Sequence, residues 1–229
     1  RLHEALEGFG FGRRTGIDLP GEDPGLLRPL AKWGHNSTIS VSQGYELMVT
    51  PLQLCRAFCA YGNGGRLVDP HLIKGFLDDQ GNIISRSDPK QLKLLPQVID
   101  PMTAAAMKRI LCDVVIRGTA SHSRSNTWNI FGKTGTSHIS QGKRGYSQTR
   151  MNSSFIAGAP AESPRLIIAM IIHEPNKAIG HYGGDVSAPA ASRVLERSLE
   201  YLYVPSSPPI PPPTRASASV LVNYNPALY

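Results

Sequence analysis

The sequence predicts an α+β fold in which an antiparallel sheet is covered by helices. Two observations carry this. Helical periodicity appears around residues 51–62 and 101–117 and again at 186–203, whereas 127–136, 152–160 and 165–173 are apolar runs separated by tight turns. The second half therefore reads helix, strand, strand, strand, helix, the pattern of a sheet with helices packed on it.

The elements follow in order. Residues 1–30 combine a short helical start with the glycine- and proline-rich loop "GFGFGRRTGIDLPGEDPG". Its glycines follow no strand and have no later acidic partner in a βαβ unit, so they are not a nucleotide fingerprint. "MVTPLQLCRAFCAYGNGG" has Thr50 as helix N-cap, Pro51 at the first helical position and Gln53 completing a capping box. Leu54, Phe58 and Tyr61 mark the inward face, and Gly62, Gly64 and Gly65 end the helix. "RLVDPHLIKGFLDDQGNII" reads as a hairpin turning at Asp79-Gln80-Gly81-Asn82. The helix from Asp100-Pro101 to Gly118 is expected to face inward with Met107, Ile110, Leu111 and Val114. The strands at 152–160 and 165–173 are almost continuously apolar, which implies burial on both faces. The terminal helix is expected to point Val194, Leu195, Leu199 and Leu202 inward. From Pro205 onward "PSSPPIPPPTRASASV" is too poor in apolar residues to build a core, and residues 205–229 are expected to be a disordered Pro-rich tail.

Composition excludes several classes. The 229 residues are 41% hydrophobic, and the longest wholly apolar run, Leu166 to Ile172, is far shorter than a membrane span of roughly 20 residues. The net charge of +7 is scattered, without a basic block or aromatic interleaving, so no nucleic-acid partner is expected. Cys55, Cys59 and Cys112 make neither a disulfide framework nor a C-x-x-C motif, and read as small buried residues. The seven histidines show no paired ligand spacing, so no metal is expected. The chain opens on Arg1 and runs straight into a helix, which reads as a piece beginning inside a domain.

One stretch does not fit a purely structural strand. In "NIFGKTGTSHIS" an apolar step leads into Gly132, Lys133, Thr134, Gly135 and Thr136. A structural strand favours branched apolar residues there. This one is shaped to bring its backbone close to a ligand and to offer that ligand positive charge and hydroxyl donors.

Lys133-Thr134-Gly135-Thr136 matches the K-T-G element of penicillin-binding proteins and serine β-lactamases. The flanks extend the likeness. "FGFGRRTGIDLPGE", "TISVSQGYELMVTPLQL", "GTASHSRSNTWNIFGKTGTS", "SSFIAGAPAESPRLIIAMI" and "HYGGDVSAPAASRVL" resemble, in order, segments of class B, monofunctional penicillin-binding proteins of the cell-division or elongation type. The resemblance covers about residues 1–204, as the C-terminal part of the transpeptidase domain, with the N-terminal part of the fold missing.

The resemblance implies a peptidoglycan D,D-transpeptidase of serine type that uses no cofactor. Its partners would be a stem peptide ending in D-Ala-D-Ala, β-lactams, a membrane glycosyltransferase and other cell-wall synthesis proteins. It would work on the outer face of the bacterial cytoplasmic membrane, anchored by a segment upstream of Arg1. Lys133 would be catalytic. Thr134, Gly135 and Thr136 would bind substrate, and the Thr136 backbone N–H would form half of the oxyanion hole, a donor worth about 3 kcal/mol in the transition state.

The chain departs from the family pattern. Ser42 in "SVSQG" stands where the family has glycine. The S-x-N element occurs nowhere. Two S-x-x-K strings occur, Ser87 to Lys90 and Ser140 to Lys143, but Pro89 and Gly142 inside them predict turns rather than the helix start a nucleophile needs. No nucleophile is therefore assigned in these residues, and the isolated chain is expected to be inactive. The alternatives are a non-catalytic binding or scaffold module of the same fold, and a β-lactamase or β-lactam sensor. "TGIDLPGE" and the Gly-Tyr-Glu-Leu-Met-Val-Thr-Pro segment favour the cell-wall enzyme.

Overall fold

The computed structural model describes residues 1–86 and 95–209. The elements in chain order are α1 (Leu2–Gly8), β1 (Leu26–Leu27), α2 (Ser37–Ser42), β2 (Leu47–Met48), α3 (Pro51–Gly62), β3 (Gly75–Leu77), β4 (Ile83–Arg86), α4 (Pro101–Arg117), β5 (Phe131–Ser140), β6 (Tyr146–Ala159), β7 (Leu166–His173) and α5 (Ser187–Tyr201). β5, β6 and β7 form an antiparallel sheet in that order, so β6 is central and β5 is an edge. β1 with β2, and β3 with β4, make two antiparallel ribbons.

Both long helices start where their caps dictate. Thr50 Oγ1 accepts from the Gln53 N–H at 3.1 Å, and Gln53 Oε1 accepts from the Thr50 N–H at 2.9 Å, a reciprocal capping box. Gln53 is buried because its amide does more. Nε2 donates to the Arg13 and Pro24 carbonyls, each at 2.8 Å, which ties the N-terminal glycine-rich loop to α3. Asp100 caps α4 by accepting from the Met102 and Thr103 N–H groups.

The sheet is covered on both faces around the central β6, whereas β7, expected to be buried on both faces, is only half-buried, with Ile171 exposed, because it is the other edge of the sheet. On one side Phe155, Ala157 and Ala159 of β6 pack with Trp128, Ile130 and with Ala188, Ala191, Leu195 and Leu199 of α5. On the other, Phe131 stacks on Phe58 of α3 at 5.4 Å and clusters with Leu111 of α4. Alternation along β5 therefore assigns its side chains. Phe131, Lys133 and Gly135 share the α3/α4 side, whereas Thr134 and Thr136, opposite Phe155 and Ser153, share the α5 side.

Several expectations need correction. The strand expected at 127–136 begins at Phe131 and continues to Ser140. Residues 127–129 bond instead to the segment after α5: the Ser207 N–H donates to the Thr127 carbonyl at 2.9 Å, and Trp128 Nε1 donates to the Pro205 carbonyl at 2.9 Å. So the first residues after Pro205 lie pinned along the entry to β5, and those from 210 on lie outside the described residues. Ile110, Val194 and Leu202, expected inward, are exposed at 56%, 47% and 45%. α4 buries Ala104, Leu111 and Val115 instead, a narrower stripe, and α5 buries Ala188, Ala191, Leu195 and Leu199. Val194 and Leu202 line an open groove of about 620 Å³ between α5 and the β7 residues Leu166 to Ile168.

Candidate functional site

The expected site residues occupy the first half of β5, the edge strand of the sheet. An edge strand of an antiparallel sheet leaves alternate N–H and C=O groups unpaired along one side, which is what an added extended peptide needs. Strand periodicity separates the lysine from the hydroxyls. Lys133 lies on the α3/α4 side and its Nζ donates to the carbonyl of Thr134 at 2.8 Å. Thr134 and Thr136 lie together on the α5 side.

Each hydroxyl has one partner of its own. Thr134 Oγ1 is 2.7 Å from Thr119 Oγ1, in the turn after α4. Thr136 Oγ1 accepts from the backbone N–H of Gly183 at 3.1 Å. Gly183 belongs to the His181-Tyr182-Gly183-Gly184 segment that precedes α5, and it is buried. Gly135 is crossed by this segment: a Cβ on Gly183 would stand 2.5 Å from the Gly135 carbonyl oxygen. A Cβ on Gly135 itself would stand 2.5 Å from Ser154 Oγ, so the glycine in this strand also serves packing.

Thr119, Ser153, Gly183 and Gly184 were given no role on sequence grounds. The stretches "GTASHS" and "HYGG" stood out as parts of a resemblance, yet nothing in them indicates that they meet at β5. That meeting is a product of the tertiary fold.

The other singled-out residues resolve as follows. Ser42 is the last residue of α2, and its hydroxyl donates to the Ile39 carbonyl at 2.7 Å. It needs no left-handed backbone, so serine is accommodated. The left-handed residues nearby are Gly44 and Glu46, at φ 88° and 60°. Glu46 is held there by Arg28 at 2.9 Å and by the Ser37 hydroxyl at 2.8 Å, and the Ser37 and Ser40 hydroxyls hold its carboxyl below the usual range. Ser140 ends β5, and Gly142, with φ 64°, opens a 3₁₀ turn, so the string ending at Lys143 is a turn and not a helix start. Ser87 to Lys90 lies outside the described residues. Burial pushes the Cys59 and Cys112 thiols up to about 11, which makes them poor nucleophiles. Among the described residues no group of three His, Cys, Asp or Glu side chains is placed to hold a metal. No helix among them is long and apolar enough to cross a membrane.

Known proteins resemble this chain in sequence and fold. Residues 1–196 match the penicillin binding protein transpeptidase domain. The stage V sporulation protein D of Bacillus subtilis is 34% identical over 89% of this chain and 31% of its own length. The probable peptidoglycan D,D-transpeptidase PbpC of Pseudomonas aeruginosa is 34% identical over 88% of this chain and 33% of its own. Penicillin binding protein 3 of Mycobacterium tuberculosis, solved in complex with ampicillin, superposes with a TM-score of 0.81 at 29% identity, covering 93% of this chain and 48% of that one. The chain thus spans about a third of the length of the curated relatives it matches. This chain belongs to the penicillin-binding protein transpeptidase family, with its likeness to the class B members.

Proposed function

We propose that these residues form the carboxylate-binding wall of a peptidoglycan D,D-transpeptidase, whose nucleophilic serine comes from sequence upstream of Arg1. The observation that carries this reading is an edge strand bearing Thr134 and Thr136 on one side, each hydroxyl held by a partner, with Lys133 immediately before them in sequence. A donor peptide laid along β5 would place its terminal carboxylate by these hydroxyls, with the Lys133 ammonium as counter-charge. The Thr136 N–H would serve the oxyanion.

The reaction is acyl transfer. The serine oxygen attacks the carbonyl of the penultimate D-Ala, the terminal D-Ala leaves as the amine with a proton, and an amine of a neighbouring stem peptide then displaces the serine from the ester. A β-lactam would acylate the same serine and stay. The relatives' names as peptidoglycan D,D-transpeptidases support this. The work would take place on the outer face of a bacterial cytoplasmic membrane, beside a membrane glycosyltransferase and other cell-wall synthesis proteins. The competing reading, a binding module without chemistry, predicts an upstream sequence lacking S-x-x-K and S-x-N.

The test is a titration of the labelled chain with N-acetyl-D-Ala-D-Ala, followed through the Thr136 amide. Lys133→Ala should weaken binding about two- to fivefold, the scale of a lost exposed counter-charge. Equal affinity in both proteins would contradict the reading.

A further inference from the structure

Ser153 of β6 is wholly buried and lies directly opposite Thr136 of β5. This cross-strand pair grips one loop with two hydroxyls of opposite polarity. Ser153 Oγ donates to the carbonyl of His181, while Thr136 Oγ1 accepts from the N–H of Gly183. The loop comes this close because it has no side chain at the contact. A Cβ on Gly183 would meet the Gly135 and Ser154 carbonyls, and one on Gly184 would meet the Thr119 carbonyl. On its far side the loop is fastened to α5, where the Ala188 N–H donates to the Gly183 carbonyl at 2.8 Å.

The polarity matters. A hydroxyl has one hydrogen and two lone pairs. An amide N–H can only donate, so Gly183 occupies a lone pair of Thr136 and leaves its hydrogen to be given elsewhere. Among the described residues that hydrogen has no acceptor. A carboxylate can only accept. A water in the place of Gly183 could take the hydrogen itself and turn the hydroxyl into an acceptor, the wrong polarity for an anion.

We propose that Ser153, acting through the His181-to-Gly184 loop, is a positioning residue that sets the Thr136 hydroxyl as a donor to the substrate's terminal carboxylate. This rests on the reading of β5 as a carboxylate-binding strand. Ser153 itself touches no substrate; its effect is confined to the anionic end of the ligand.

The experiment compares N-acetyl-D-Ala-D-Ala with its C-terminal amide, the dissociation constant of each being measured on the 229-residue chain. The wild type should prefer the acid. In Ser153→Ala that preference should shrink about three- to tenfold, part of the worth of a charge-assisted hydrogen bond, while binding of the amide stays unchanged. A wild type indifferent to acid or amide would sink the carboxylate reading and this proposal with it. A wild type that discriminates, beside a folded Ser153→Ala that discriminates equally, would overturn the positioning role alone. Should Ser153→Ala not fold, hydrogen exchange of the Gly183 amide decides. It should be slow in the wild type and in Thr136→Ser, and fast in Thr136→Val. Equal exchange in wild type and Thr136→Val would overturn the proposal.

Discussion

The hydroxyls of Thr119 and Thr134 lie 2.7 Å apart and join the turn that follows α4 to the edge strand β5. Both side chains are small and polar at the border of a packed sheet, so their contact fixes where the turn meets the strand. Replacing Thr119 by Val keeps the shape and removes the bond. Thr119→Val should lower unfolding free energy by about 0.5–1 kcal/mol, the low end for a hydrogen bond at a partly exposed position. Thr119→Ser should recover most of that. Urea titration measures it, and a valine variant as stable as the wild type would contradict the contact.

The two glycines of β5 should differ. A Cβ on Gly132 would stand 2.6 Å from the ring of buried Phe155 and 2.9 Å from the Ile156 carbonyl oxygen. Neither can yield freely, so Gly132→Ala should cost about 1–3 kcal/mol, as overpacking does. A Cβ on Gly135 would press on Ser154 Oγ, the end of a side chain that can rotate. Gly135→Ala should therefore unfold within about 1 kcal/mol of the wild type, yet bind the D-Ala-D-Ala peptide more weakly. The reverse order of stabilities would show the packing at β5 to be misjudged.

Much of this strand was legible in the sequence, for physical reasons. A capping box, a proline at the first turn and apolar runs between tight turns are local signals, and α3, α4 and the three-strand sheet appear where those signals stand. K-T-G-T was visible because its residue types are wrong for a structural strand. What could not be read was tertiary. Helical spacing marks Ile110 as well as Leu111, but only one of two neighbouring positions can face a flat sheet, and the packing chose Leu111. Likewise nothing local in Tyr182-Gly183-Gly184 reveals that it closes over Gly135, 48 residues earlier in the case of Gly183. The Thr127 end of the expected strand was lost to Pro205 and Ser207, a pairing between segments far apart in the chain.

Thiol titration should leave a mark on stability. Burial raises Cys59 and Cys112 to about 11, above the range of an unfolded thiol near 8.5–9. The folded chain then holds protons that the unfolded chain has released. This stabilisation is complete below about pH 8.5 and is lost as pH rises to about 11. The melting temperature should fall over that window, and the double variant Cys59→Ala, Cys112→Ala should fall less steeply from its own starting point. Equal slopes would show that these thiols are not held protonated by the fold.

The exposed apolar side chains on α5 and at its C-cap give a further test. Val194 and Leu202 line the groove beside β7 with nothing over them among the described residues. Val194→Ser with Leu202→Ser should reduce binding of an environment-sensitive apolar dye and change stability by no more than about 0.5 kcal/mol per site, as for surface positions. A loss of several kcal/mol would mean that these residues are buried in solution.

The most direct test of the account is acylation by a labelled penicillin, read by intact-mass spectrometry. The 229-residue chain should gain no adduct, because Ser140 sits at a strand end before a 3₁₀ turn, and Ser87 is followed by Asp88 and Pro89. The full gene product, read upstream of Arg1, should gain one adduct on the serine of an S-x-x-K element, and Lys133→Ala in it should slow acylation by about tenfold or more. An adduct on Ser87 or Ser140 of the 229-residue chain, or a full gene product that stays unlabelled, would contradict the assignment of these residues as the carboxylate-binding wall of a penicillin-sensitive transpeptidase.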